Sequence, residues 1–294
     1  MSVHRVVVVH RATEYDELVA RHATRGQAAY FLETRGQDLR AVEERHRVLQ
    51  ETLASVSRQI PLDWRRGLVE RADLSSYLFT PDDIVVVVGQ DGLVANVAKY
   101  LGGQPVIGVD PGAGLNAGVL SRHTAREVTG LLSAVAHEPA VGESRTMVEL
   151  DVDDGQSLMA LNEIYVGHSS HQTARYTLSV AGRSEPQASS GVVVGTGTGA
   201  TGWCRSLRLE RHSDLVLPGP QDRALAWFVR EAWPSPWSGT GLTEGALVVG
   251  EELRLHVESD RLVAFGDGIE NDRLEVTRGQ ALRLGVAART LSLV

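Results

Sequence analysis

Asp91 is the carboxylate in this chain best placed for chemistry. It lies in the glycine turn Gly89-Gln90-Asp91-Gly92, directly after the apolar run Ile84-Val85-Val86-Val87-Val88. A lone carboxylate there can bind a hydroxyl or take its proton, and the flanking glycines let the backbone turn and a bulky ligand approach. The same residues also read as a plain strand-to-helix turn with Asp91 as the N-cap. A second cluster runs Ser189-Ser190-Gly191-Val192-Val193-Val194-Gly195-Thr196-Gly197-Thr198-Gly199-Ala200-Thr201-Gly202-Trp203. Gly197 to Gly202 fits G-x-G-x-x-G after a strand, but no βαβ unit follows, so the dinucleotide fingerprint is weak. Exposed N–H groups with the hydroxyls of Thr196, Thr198 and Thr201 would still make a nest for phosphate oxygens; a turn that only redirects the chain is the alternative.

Three smaller patterns carry polar groups. Asn162-Glu163 interrupts the apolar sequence from Leu158 to Val166, and buried polar groups need partners, from a ligand or from a neighbouring loop. Phe265-Gly266-Asp267-Gly268 repeats the strand-Gly-Asp-Gly arrangement, as a second site carboxylate or as a hairpin turn. His168 and His171 form H-x-x-H without a third ligand in a helical context, so they read as loop histidines and no metal site is expected. No Gly-x-Ser-x-Gly elbow is present for serine hydrolysis.

The elements that must position these groups divide into two textures. Residues 84–88 lack polar alternation, as in a parallel strand covered on both faces, and open α/β sheets place ligands at the carboxyl ends of such strands. A first buried strand is predicted at 5–10, a helical start within 11–25, and an amphipathic helix between 36 and 59 from the spacing of Leu39, Val42, His46, Leu49, Leu53 and Val56. Residues 68–78 are mixed, 93–101 have helical character, and 105–110 form a strand ending in a Gly/Pro/Asn loop. Alternating strands and helices predict a doubly wound sheet. Beyond about residue 141, short β-type segments recur at 147–152, 158–166, 174–180, 191–194, 252–257, 262–265 and 281–286, separated by Gly, Asp, Ser and Pro, which predicts an antiparallel, sandwich-like domain. A helix is expected there only around 221–231, and a long ordered loop over 233–243. The expected fold class is therefore an N-terminal doubly wound α/β domain plus an all-β sandwich-like C-terminal domain.

Composition narrows the classes of partner. The 294 residues are 43% hydrophobic with 30 glycines and few aromatics, enough for two domains and better suited to an α/β enzyme than to an aromatic-anchored binding scaffold. The net charge of −8, without a Lys/Arg run, argues against nucleic acid or an anionic membrane as main partner. Lys99 is the only lysine among 29 basic residues, and no Gly-Lys-Ser/Thr phosphate loop surrounds it. Cys204 is the single cysteine, which fits a reducing compartment. Residues 1–9 lead straight into a strand without the regions of a signal peptide, and no apolar stretch approaches a membrane span, so a cytoplasmic protein is expected.

In this order, the segments resemble the NAD kinase family, whose pattern is a strand ending in Gly-Gly-Asp-Gly-Thr, then Asn-Glu, then Thr-x-Thr-Gly-Ser-Thr-Ala-Tyr, and late in the chain a strand with Asp-Gly. Here the places are filled by Gly89-Gln90-Asp91-Gly92-Leu93, Asn162-Glu163, Thr196 to Trp203, and Asp267-Gly268. The long 11–59 segment, Ser189-Ser190-Gly191 and Leu242-Thr243-Glu244-Gly245 are similar to the divergent, mitochondrial-type branch. The resemblance implies an N-terminal domain over 1–140, completed by about 272–294, a dinucleotide-binding C-terminal domain over 141–271, and an active site in the cleft between them. It implies an ATP-dependent phosphotransferase that converts NAD to NADP at the adenosine ribose 2'-hydroxyl. Asp91 would be the catalytic base, with Gly89 and Gly92 permitting close approach. Asn162, Glu163, Ser190, Thr196, Thr198, Gly199, Thr201, Gly202, Trp203, Ser206 and Asp267 would hold nucleotide. ATP and Mg2+ are the implied donor and cofactor, and a homodimer or higher homo-oligomer the implied assembly. Gln90 and Leu93 replace a glycine and a threonine of that signature, Asp110 an asparagine, and Gly202-Trp203 an Ala-Tyr pair. These departures keep open a related kinase with a sugar or lipid acceptor, and a catalytically impaired nucleotide sensor.

Overall fold

The computed structural model describes residues 4–112, 118–138 and 142–294. The expectations for residues 1–3, for 113–117 of the Gly/Pro/Asn loop and for the boundary at 140–141 fall outside them. The chain divides into two compact units, Met1–Gly142 with Ser292–Val294, and Glu143–Leu291.

Unit 1 is the doubly wound part. Its elements are β1 (Arg5–His10), α1 (Glu14–His22), α2 (Arg25–Glu33), α3 (Leu39–Gln59), β2 (Arg65–Glu70), β3 (Asp83–Val88), α4 (Asp91–Ala98), β4 (Pro105–Val109) and α5 (Val128–His137). The strands are parallel in the order β2-β1-β3-β4, and the chain's last strand adds Ser292 and Leu293 beside Pro105 and Val106. Every residue of β3 is buried, as its unbroken valine run requires. The Asp83 carboxylate fixes the start of β3, accepting Arg5 Nε and Nη2 at 2.6 Å each.

The 36–59 expectation is met by α3, which begins at Leu39 because the Asp38 side chain caps it, accepting the Arg40 N–H at 2.9 Å. It serves two cores. Leu39 and Val42 pack with Leu18 of α1 and Ala28 and Leu32 of α2, while Val56 and Ile60 pack with Val6, Val8, Val86 and α5.

Unit 2 is the β-rich part: β5 (Glu143–Val152), β6 (Ser157–Ala160), β7 (Glu163–Gly167), β8 (Ala174–Val180), β9 (Arg183–Ser189), β10 (Gly191–Thr196), α6 (Trp203–Glu210), β11 (Ala224–Arg230), β12 (Glu244–Val248), β13 (Glu252–Val257), β14 (Arg261–Gly266), β15 (Leu274–Thr277) and β16 (Ala281–Leu293). One antiparallel sheet runs β12-β11-β10-β7-β14-β15; the other runs β16-β13-β8-β9, with β5 pairing β16 and β6. Their inner faces share one core, including Leu150, Tyr176, Val194, Trp227 and Leu255. Of the C-terminal segment expected to complete the first domain, only Ser292–Val294 joins unit 1.

Two local expectations are corrected. Residues 221–231 are not helical: 224–230 form β11, central in its sheet between β10 and β12. Leu225, Trp227 and Val229 enter the inter-sheet core while Ala226 and Phe228 meet α6, so both faces are apolar and the strand loses its two-residue signature. Among the described residues the α-helix of unit 2 is α6 instead. Residues 158–166 are not one strand either, because the chain leaves one sheet at Ala160 and enters the other at Glu163. Among the described residues no helix is long and apolar enough to cross a membrane.

Candidate functional site

In unit 1 the candidate residues stand where parallel β3 gives way to α4. Gly89 donates its N–H to the Val109 carbonyl at 3.0 Å, which holds the turn against β4. The N-cap of α4 is Gln90, whose side chain caps nothing; Asp91 is the first helical residue. Its carboxylate reaches across to another loop. Oδ1 accepts the N–H groups of Leu120 at 3.0 Å and Ser121 at 2.8 Å, and Oδ2 accepts that of Val119 at 2.8 Å. The N-cap reading of Asp91 is therefore replaced by a loop anchor. A carboxylate has about four acceptor positions, so Oδ2 retains one for a hydroxyl.

The departures at this turn have distinct physical consequences. Leu93 is 6% exposed and packs over Gly89, where an added Cβ would stand 2.9 Å from its Cδ2. The side chain that replaces a threonine is thus part of the core. Asp110 follows β4 and accepts the Gly112 N–H at 2.8 Å. Gly92 differs from its neighbours: it is exposed, and none of the described residues lies within 4 Å of a Cβ added to it.

In unit 2 the candidates gather where β6 passes into β7. Asp267, after β14, accepts the N–H groups of Leu161 at 2.9 Å and Asn162 at 2.7 Å. Asp267 itself stands at φ 53°, in the left-handed region that Asp tolerates in turns. Thr196 then stitches the turn to β10. Its hydroxyl donates to the Leu161 carbonyl at 2.5 Å and accepts the N–H groups of Thr198 and Gly199 at 3.1 and 3.3 Å. That hydroxyl has no capacity left for phosphate, and two amides expected in the anion nest are already bonded.

The glycines of the second cluster are required by packing. A Cβ on Gly197 would run into the Gly219 carbonyl and Pro220 nitrogen, one on Gly199 into the Asn162 carbonyl, and one on Gly195 into Cys204 Sγ. The Thr201 hydroxyl donates to the Thr198 carbonyl at 3.2 Å, and the Ser206 hydroxyl turns back to the Gly202 carbonyl at 3.4 Å. Trp203 stacks on the Tyr165 ring at 5.7 Å with the Arg230 guanidinium 5.3 Å from its own centre. Two groups keep unused chemistry. The buried Thr198 hydroxyl has no hydrogen-bond partner, and Glu163 is a half-buried acid whose pKa is pushed up to about 7 by burial and then by the Asp267 charge.

No protein-family model matches the chain, and no curated protein does. Among solved structures it is similar to a crystal structure of an NAD kinase from Archaeoglobus fulgidus in complex with ATP, at TM-score 0.59 and 14% identity, over 98% of this chain and 92% of that one. The fold is NAD kinase-like.

On this NAD kinase-like fold the candidates fall into separate groups. Gly89, Asp91 and Gly92 share one turn of unit 1, whereas Asn162, Glu163, Thr196, Thr198, Gly199 and Asp267 converge in unit 2. Ser190 does not join them. It precedes β10 while Thr196 ends it, a separation of ~20 Å along the strand. There its carbonyl accepts the Tyr165 hydroxyl at 2.8 Å. His168 accepts the Ser170 N–H at 3.1 Å, and among the described residues no three His, Cys, Asp or Glu groups are arranged to hold a metal. Cys204 is buried, its thiol pushed up to about 12 by burial and then by Glu163, so it is an inert core group. Sequence reasoning missed Thr146, whose buried hydroxyl is unpartnered beside its N–H bond to Pro220 at 3.2 Å; inside a regular strand it carries no signal.

Two expected results follow from this geometry. Gly92→Ala should leave the melting temperature equal or slightly higher, since alanine favours a helix by about 0.5–1 kcal/mol over glycine. If a ligand approaches the open space at Gly92, the same variant should weaken nucleotide binding, read by titration calorimetry. For Glu163, the folded state holds its proton up to about 7 against an ordinary 4.5, so stability falls as pH rises between those values. The loss is on the order of 1–2 kcal/mol after allowance for partial exposure. Urea unfolding against pH should show a flatter curve in Glu163→Gln across that window.

Proposed function

We propose that this chain is an ATP-dependent kinase that phosphorylates the adenosine ribose 2'-hydroxyl of NAD to give NADP. One observation carries the reading: on an NAD kinase-like fold, Asp91 stands at the carboxyl end of a buried parallel strand with an acceptor position left on Oδ2 and open space at Gly92. Asp91 would accept the 2'-hydroxyl proton as the oxygen attacks the γ-phosphorus and the bond to the β-phosphate bridge breaks, releasing ADP. The loop amides on Asp91 would hold its carboxylate at one angle, so orientation costs little at the moment of reaction. Asn162, Glu163 and the Thr198 hydroxyl would hold the dinucleotide. The described residues offer no three-ligand metal cluster, so Mg2+ would enter on the phosphates of ATP and no side chain is assigned to it. Segment 11–59 and the 242–245 loop support the divergent, mitochondrial-type branch, and the lone buried Cys204 supports a reducing compartment.

A second reading rests on Leu93. Leucine here, in place of the threonine of the resembled signature, brings no hydroxyl to the turn that would face the donor phosphates, and its side chain is buried, which suits a nucleotide sensor that binds without turnover. An assay of NADP formation from NAD and ATP, beside thermal-shift titration with NAD, NADP and ATP, separates the two. Turnover that depends on Asp91 supports the kinase, tight binding without product over long incubation supports the sensor, and neither binding nor turnover rejects both.

A further inference from the structure

Asp91 keeps one angle only if the loop that binds it is itself held. That loop donates the Val119, Leu120 and Ser121 N–H groups to the carboxylate. It packs closely on β4, where a Cβ added to Gly108 would meet the Leu120 carbonyl and Ser121 Cα. Two residues beyond Ser121, His123 fastens the loop at three points. Its N–H donates to the Gly108 carbonyl at 3.0 Å, and its own carbonyl accepts the Asp110 N–H at 2.9 Å. Its ring Nε2 lies 2.8 Å from the main-chain oxygen of Val294, 171 residues away in sequence. A main-chain oxygen only accepts, so Nε2 carries a hydrogen and donates it. Val294 is fixed in its turn: it is 5% exposed, donates its N–H to the Val106 carbonyl at 2.9 Å and belongs to the core that contains Val86, Ile107 and Leu132.

We propose that His123 is a positioning residue: its ring ties the loop that grips Asp91 to Val294, and so sets the angle of the carboxylate. The links close a circuit within unit 1. β4 holds Val294, Val294 holds the His123 ring, and the loop holds Asp91. Gly89, two residues before Asp91, then returns to β4 through its bond to the Val109 carbonyl. Any residue but proline could make the two main-chain bonds at position 123, whereas the third needs a side-chain donor of that reach. Histidine and glutamine carry one; alanine and phenylalanine do not. Without the ring bond the loop is fastened at position 123 by its main chain alone, so it can tilt, and a base turned off its line of attack loses rate steeply. The effect on turnover rests on the kinase reading of Asp91; the effect on the loop does not.

Hydrogen exchange of the full chain followed by NMR, beside NADP formation from NAD and ATP, tests the role. In His123→Ala the Val119, Leu120 and Ser121 amides should exchange about tenfold faster, the effect of losing one hydrogen bond, while the amides of β1 and β13 keep their rates. Turnover should fall about tenfold in kcat with KM for NAD little changed, and His123→Gln should stay within about threefold of the unaltered chain in both readings. His123→Phe keeps the bulk of a ring without its N–H; it should behave as His123→Ala does, and it decides if His123→Ala does not fold. Unchanged exchange at the three loop amides overturns the proposal. So does faster exchange spread evenly over unit 1, which marks a weakened fold rather than a misplaced loop. Loosened amides with kcat unchanged overturn it too when Asp91→Asn lowers turnover in the same assay, as does a folded His123→Gln that behaves like His123→Ala. If Asp91→Asn is fully active, the kinase reading fails, and exchange at the three amides alone decides whether His123 positions Asp91.

Discussion

Asp91→Asn is expected to lower NADP formation by about 10²–10⁴-fold and to cost about 1–3 kcal/mol of stability. The two effects have different causes. Asparagine keeps one carbonyl oxygen, which can go on accepting the Leu120 and Ser121 N–H groups now bound to Oδ1. Its NH2 then points at the Val119 N–H that Oδ2 accepts, donor against donor, and the loop loses its third tether. Each kcal/mol shifts the melting point of a chain this size by roughly 2–4 °C. Kinetics at a temperature where the variant remains folded separate the two. A fall in kcat with KM little changed identifies a base acting in the transition state. Activity that declines only with the folded fraction leaves Asp91 as a loop anchor and removes the catalytic role.

Gly197→Ala and Gly199→Ala should each destabilise unit 2 by about 3 kcal/mol, at the upper end of overpacking costs. Both added methyl groups would meet main-chain atoms, at Gly219 and Pro220 in one case and at Asn162 in the other. A backbone cannot step aside as the end of a long side chain can, so the strain spreads along β10 and the turn that Thr196 holds. Urea unfolding of both variants beside Gly92→Ala makes the comparison internal, because a methyl group at Gly92 meets none of the described residues within 4 Å. Unfolding midpoints at Gly197→Ala and Gly199→Ala equal to the unaltered chain would refute the packing account. Loss of nucleotide binding with stability intact would return the cluster to a ligand-approach role.

The legible parts of the fold are those where a single element records its own environment. β3 is buried on both faces, so its valine run was readable without knowing its neighbours. α3 keeps an amphipathic spacing over 21 residues and has a capping aspartate, and its limits were close to readable. β11 shows the reverse case. Its residues are apolar on both faces because α6 covers one and the opposite sheet the other, so a short apolar run could not declare its type. The break at Leu161-Asn162 was equally hidden, since it is fixed by Asp267, 105 residues away, accepting the Asn162 N–H.

For the candidate site, residue type and order indicated which groups carry chemistry, but their hydrogen-bond commitments are long-range. Asp91 and Asp267 look alike in sequence, each an aspartate before a glycine after an apolar strand. Each spends its carboxylate on backbone N–H groups of a distant segment. Thr196 and Thr198 are two residues apart with the same side chain, yet one hydroxyl makes three hydrogen bonds and the other makes none. The sequence by itself determined the two-texture architecture, the strand ends that carry carboxylates and the glycines that permit close approach, because strand periodicity and missing side chains are local properties. Only the tertiary structure decided which polar groups are already satisfied and which remain for a ligand, because a hydrogen bond is a matter of where two segments meet.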